Sequence, residues 1–105
     1  MGAKDQEDMN NDKADIIPPG APAGKYHPGQ IYRFFMGQPK ALLIQKLGQP
    51  DHIFFDQENR EVWRYYELTY DFDKPAAGLL DQNFMFDEDN RVDYDYVNWP
   101  HKRNA

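Results

Sequence analysis

Gly37-Gln38-Pro39-Lys40-Ala41-Leu42-Leu43-Ile44-Gln45-Lys46-Leu47-Gly48-Gln49-Pro50-Asp51 reads as one short helix with its own start and stop signals. Pro39 suits the first helical position, where a missing N–H costs nothing and a fixed φ is already helical. Leu43, Ile44 and Leu47, with the stem of Lys40, recur at the spacing that puts them on one helix face. Gly48 suits the left-handed residue after the last turn, and Pro50 blocks resumption of the helix. From His52 onward the period changes to the alternation of a strand. The stretch is therefore a corner between a helical layer and a sheet.

Upstream, Gln30-Ile31-Tyr32-Arg33-Phe34-Phe35-Met36 places Ile31, Phe34 and Phe35 on one side of a short helix or single turn, which Gly37 ends. Downstream come four strand-like runs. His52 to Asp56 is short. Glu61 to Tyr70 is long and rich in β-formers. Its two faces are Val62, Arg64, Tyr66, Leu68, Tyr70 and Glu61, Trp63, Tyr65, Glu67, Thr69. Leu80 to Phe86 alternates, and Arg91 to Val97 alternates again, with Val92, Tyr94 and Tyr96 facing one way and Asp93 and Asp95 the other. Polar turns at 57–60 and 87–90, each with an Asn able to take positive φ, and a loop at 71–79 separate them. Strands so joined pair antiparallel. The expectation is an α+β, two-layer domain: an N-terminal helix pair packed on a three- to four-stranded antiparallel meander sheet. Both sheet faces carry aromatics, so either qualifies as the one beneath the helices.

All sixteen aromatic residues lie between Tyr26 and Trp99. Residues 1–25 have none and carry five prolines and glycines within positions 18–24, so they cannot bury enough apolar surface to offset ordering. Three units follow: a disordered linker or tether over 1–28, a folded domain over 29–99 and a flexible tail over 100–105. Ile16 to Gly29 is a proline-stiffened spacer rather than a ligand for a proline-binding module, because it lacks a PxxP core with a basic flank.

The net charge of −6 divides between three lysines against five acids in residues 1–25 and nine basic against thirteen acidic residues after them. That balance excludes a phosphate-reading surface, and with it nucleic acid as a partner. The absence of cysteine removes disulfides, thiol catalysis and thiolate metal sites. There is no serine, and Thr69 is the sole threonine. The acidic run at Asp87-Glu88-Asp89 invites calcium, but counting from Asp87 puts Arg91, Val92 and Asn98 where that loop needs a ligand, a glycine and a glutamate. A solvated hairpin turn accounts for it better. His27, His52 and His101 have no metal-binding spacing, and no glycine pattern cradles a phosphate. Glu61 and Glu67 are the carboxylates that an acid–base enzyme would use, and surface positions on an alternating strand explain them as well. The expectation is no enzyme, no cofactor and no metal. What stands out is the supply of Tyr and Trp, residues that tolerate half-exposure and concentrate at protein interfaces.

Gly37-Gln38-Pro39…Leu43…Leu47-Gly48-Gln49-Pro50, then Trp63-Arg64-Tyr65, then Phe84 to Val92, resemble the SmpA/OmlA (BamE-like) family of small bacterial outer-membrane lipoproteins. That family shows G-M-[ST]-x-x-x-V-x-x-x-L-G-x-P, a W-x-Y strand and F-x-x-x-G-x-V. The resemblance spans about Ile31 to Val97, in order. Pro39 stands where the family has a Ser or Thr helix cap, and Asn90 where it often has Gly. The anchoring Cys is missing.

The resemblance implies a fold like that of the β-lactamase inhibitor proteins, with Gly37, Leu47, Gly48, Pro50 and Trp63 as structural markers. It also implies a non-catalytic envelope role in outer-membrane assembly or integrity, exerted on a protein partner; the protein itself is expected to be a monomer. This chain would then be a mature or engineered form, in the periplasm and outer-membrane associated if a missing leader ended in a lipobox Cys. Met1-Gly2-Ala3 fits a native start or a scar equally. The candidate contact residues are Trp63, Tyr65, Tyr94 and Tyr96 on the sheet, or Tyr32 and Phe35 on the helical pair. A proteinaceous enzyme inhibitor using an aromatic sheet face is the alternative, and a small enzyme with a carboxylate-lined pocket a more distant one.

Overall fold

The computed structural model describes residues 24–100. The expected tether and tail therefore lie almost wholly outside the described residues. Two helices, α1 (Pro28–Phe35) and α2 (Lys40–Leu47), precede four strands, β1 (His52–Phe55), β2 (Glu61–Tyr70), β3 (Leu79–Phe86) and β4 (Val92–Asn98). The strands pair antiparallel in sequence order, a meander, and one turn of 3-10 helix at Pro75–Ala77 interrupts the β2–β3 loop. The expected α+β arrangement is the one observed. No helix among the described residues is long and apolar enough to cross a membrane.

Both helices lie on one face of the sheet. Ile31 and Phe35 of α1 and Leu43 of α2 are buried in one cluster with Trp63 and Tyr65 of β2, Phe84 and Phe86 of β3 and Val92 of β4. The rings meet edge to face: Phe35 on Phe84 at 5.7 Å, Tyr65 on Phe84 at 5.9 Å, Trp63 on Phe86 at 5.1 Å. Edge-to-face contact of this kind adds to plain area burial. At one side of the cluster the Lys40 ammonium sits 4.9 Å from the Phe86 ring and 5.4 Å from the Trp63 ring while pairing with Glu61 at 3.0 Å. Its stem thus lies on the apolar face, as the helix spacing requires, and its head is neutralised. The Trp63 indole N–H donates to the other Glu61 oxygen, and that bond, ahead of Lys40, holds the carboxyl below its usual range.

The corner stretch is pinned at both ends. Gly37, at φ +81°, donates its N–H to Val92, the Val92 N–H returns to Gln38, and Lys40 N–H reaches Asn90, so the turn between the helices is stitched to the β3–β4 turn. Pro39 occupies the N-cap rather than the first helical position. It extends a bridge toward Arg91, a role that needs extended backbone, which the proline ring permits. At the far end Gly48 adopts φ 83°, ψ −170°, a mirror-extended conformation reserved for glycine rather than the left-handed helical one expected. The Tyr65 hydroxyl donates to its carbonyl at 2.9 Å.

Two irregularities break the alternation. In β2 the register slips between Tyr65 and Thr69, and Glu67 takes φ +50°. Leu68, which strict alternation assigns away from Trp63 and Tyr65, consequently packs against their cluster. In β4 the pairs Val92 with Phe86 and Tyr94 with Met85 enclose a bulge at Asp93. One extra residue inverts the parity, so Val92 enters the core beneath the helices while Tyr94 and Tyr96 turn to the opposite face. The expected shared face of those three residues is therefore wrong. Ahead of α1, Tyr26 exchanges backbone hydrogen bonds with Leu68 and Tyr70 and meets Phe35 edge to face at 5.8 Å.

The central strand β3 is buried along its length, including Asp81, Gln82 and Asn83. Each is satisfied. Gln82 accepts from the Thr69 hydroxyl and donates to the Asn83 carbonyl, and Asn83 donates to Asn98 while accepting from Arg64. Polar groups so placed fix register where a wholly apolar strand would tolerate slippage.

A Cβ at position 48 would meet no atom within 4 Å, so Gly48→Ala isolates the cost of the backbone conformation alone. Urea denaturation should show a loss of about 1–3 kcal/mol, with an unchanged dependence on denaturant.

Candidate functional site

Cross-strand partners share a face, so the register defines the side of the sheet that the helices leave open. One row runs Phe54–Val62–Met85–Tyr94 and the next His52–Arg64–Asn83–Tyr96. Val62 and Met85 are buried in the middle of their row, flanked by Phe54 and by the half-exposed ring of Tyr94. The Tyr94 and Tyr96 rings lie 6.0 Å apart, and His52 stacks on Phe54. The Arg64 guanidinium lies 4.6 Å over the Phe54 ring, and its Nε donates to Asn83 at 2.6 Å. Tyr66, 39% exposed, follows Arg64 two residues on along β2. The result is a surface of aromatic rings and one arginine around buried Val62, Met85 and Asn83.

Of the six candidate contact residues, the structure brings together only Tyr94 and Tyr96 on an accessible surface. Trp63 and Tyr65 are buried on the helix side, and burial, then the nearby Asp51 charge, pushes the Tyr65 phenol well above its usual range. Phe35 is buried as well, at the centre of the same cluster. Tyr32 is 64% exposed but stands on the outer side of α1, remote from the sheet rows. The grouping of Trp63 and Tyr65 with Tyr94 and Tyr96 is thus incorrect, because the β4 bulge sends the two tyrosines of that strand to the other side. Val62, Arg64, Met85 and Phe54 share that surface and are not among the sequence candidates. The pairing of β1 with β2 placed them, and only an opposite-face reading of the alternation in β2 hinted at it.

Three other places have the composition of a site. A groove of about 430 Å³ opens between the helices, lined by Tyr26, Phe34, Phe35 and Leu42 with Arg33 and Lys46. A shallow recess of about 410 Å³ lies at the acidic turn. There Asp87 Oδ1 accepts from the backbone N–H groups of Asp89 and Arg91, shaping the turn, and Arg60 pairs with Asp93 at 2.6 Å. These carboxylates are occupied in holding the hairpin, in keeping with a structural turn.

The third is His27 with Asp71 and Asp73, whose ligating atoms lie within 4.8 Å of one another. His27 Nδ1 accepts from the Gly29 N–H at 3.1 Å and caps α1, with Gln30 returning the bond to the His27 N–H. Nδ1 therefore acts as the acceptor of the ring, and Nε2 faces the Asp71 and Asp73 carboxylates at 3.3 Å and 3.4 Å. A metal on Nε2 would require the proton on Nδ1, opposing the Gly29 N–H. The group is a clamp tying the start of α1 to the loop after β2.

Glu61 is locked by Lys40 and Trp63, and Glu67 lies in the β2 bulge. Burial raises the Asp95 carboxyl above its ordinary value, against a lowering bond from Gln82. Asp95 stands in the row of Trp63 and Phe84, and among the described residues no hydroxyl or imidazole is bonded to it, so this shift belongs to packing rather than to acid–base work.

No protein-family model matches the chain, and neither a curated protein nor a solved structure does.

Replacing the cap, His27→Ala, should cost about 0.5–2 kcal/mol in thermal denaturation, and added zinc should leave the melting temperature of the unaltered protein unchanged. For Asp95 the native state holds its proton more firmly than the unfolded chain, so its contribution to stability falls as pH rises through the range just above the ordinary carboxylate value. Asp95→Asn should accordingly be more stable than the parent near neutral pH, with the difference closing in acid, as read from urea midpoints across pH.

Proposed function

We propose that the protein is a non-catalytic protein-binding module of the bacterial cell envelope, acting in outer-membrane assembly or envelope integrity, with the open face of the sheet as its contact surface. The observation that carries the binding role is that open face: Phe54, Arg64, Tyr66, Tyr94 and Tyr96 around buried Val62 and Met85, on the side the helices do not cover. Tyrosine and arginine over an apolar centre is the composition that dominates binding energy at protein interfaces. A periplasmic location and an outer-membrane association rest on the resemblance of Gly37 to Pro50, Trp63 to Tyr65 and Phe84 to Val92 to the SmpA/OmlA family. The order of two helices followed by an antiparallel meander agrees with the fold that the resemblance implies. The clamp at His27, the locked Glu61 and the turn-bound Asp87 support a role without catalysis.

The same aromatic face favours one second reading, a proteinaceous inhibitor that seats the sheet over an enzyme's active site. Affinity capture from envelope extract should recover an outer-membrane assembly component with the parent protein and lose it with Tyr94→Ala/Tyr96→Ala, while Tyr32→Ala leaves recovery intact. Equal recovery by both variants would sink the open-face assignment. Titration into β-lactamases separates the second reading, which requires loss of their activity.

A further inference from the structure

Among the described residues, the cations around the sheet have their partners built in. Lys40 pairs with Glu61, Arg60 with Asp93 and the Phe86 carbonyl, and Arg91 donates to the Gly37 carbonyl. Arg64 differs. It stands on β2 in the second row of the open face, half-buried, with one hydrogen bond, from Nε to the neutral oxygen of Asn83. It forms no ion pair among the described residues. Guanidinium has five donors and a strong preference for a two-pronged acceptor. Of the neighbouring acids, Asp51 accepts from the Tyr66 N–H at 2.7 Å, and fully buried Asp81 accepts from the Glu67 N–H at 2.9 Å.

The group is also held in place before any partner arrives. Phe54 supports one face of the guanidinium plane. Asn83 is oriented by its own donations to Asn98 and to the Tyr96 carbonyl, which turn its oxygen toward Arg64. A side chain already fixed by stacking and one bond loses little freedom on accepting a ligand. The remaining donors stand beside the Phe54 ring, an apolar neighbour that strengthens a charge-assisted bond.

We propose that the partner of the open face presents an acidic side chain, an Asp or Glu flanked by apolar residues, whose carboxylate pairs with Arg64 while its neighbours pack on Phe54, Met85 and Tyr94. This deepens the binding role proposed above and rests on it. The chain as a whole carries a charge of −6, so the recognition is local, set by one positioned cation rather than by the field of the protein.

The test selects ligands from a random heptapeptide library on the immobilised full chain. Winners are then synthesised with each acid replaced by its amide and titrated against isotopically labelled protein. Selected peptides should shift the amides of β2 to β4 on the open face and the Arg64 Nε–H, and should share an acid beside an aromatic or aliphatic residue. Amide replacement should weaken them roughly 10- to 100-fold. Arg64→Gln should weaken the acidic peptide by a similar factor yet hardly affect the amide version, and Arg64→Lys should fall between, since it keeps charge without the planar fork. A native-like spectrum for each variant shows that the fold is kept. Peptides that bind the open face equally well as acid or amide overturn the Arg64 proposal and leave the binding role standing. Peptides that map elsewhere, or an empty selection, overturn both.

Discussion

Neither helix can stand without the sheet. Each is eight residues long, below the length at which a helix in water offsets its own nucleation, so both exist because Ile31, Phe35 and Leu43 find Trp63, Tyr65 and Phe84 beneath them. The Phe35–Phe84 contact at the centre of that cluster is the interaction on which the rest depends. It commits one face of the sheet to the two described helices, neither of which packs on the other face.

That division makes unusual demands on β3. As a central strand beneath a helical layer it has no side facing freely to water, yet its middle is Asp-Gln-Asn. The solution is a network in which Gln82 serves the helix side through Thr69, and Asn83 serves the open side through Arg64 and Asn98. The same residues that fix strand register also orient the arginine of the open face. Structure and recognition are coupled through one amide side chain.

The corner stretch was read well from its letters because its signals are local. Glycine, proline and apolar residues at helical spacing act within a few residues of themselves, and they mark the helix and its two ends, although Pro39 is the cap rather than the first helical residue and Gly48 is mirror-extended rather than left-handed helical. The polar turns with Asn59 and Asn90 were legible for the same reason, and both residues take positive φ. The four-stranded meander followed from short connections, which force neighbours in sequence to be neighbours in space. The candidate site was much less legible. The aromatic pattern groups Tyr94 and Tyr96 with Trp63 and Tyr65, which lie on the other side of the sheet. A bulge is one residue in length and leaves no mark in composition, and here it inverted the facing of a whole strand.

The sequence by itself determined the α+β order, the helix-to-sheet corner, the antiparallel pairing and the concentration of aromatics after Tyr26, because each depends on contacts between residues close along the chain. Tertiary structure alone decided which face the helices cover, that Val92 parts company with Tyr94, and that Arg64 stands over Phe54 with an amide as its polar partner. Those outcomes depend on register between strands, where a shift of one residue exchanges inside for outside at no cost visible in the letters.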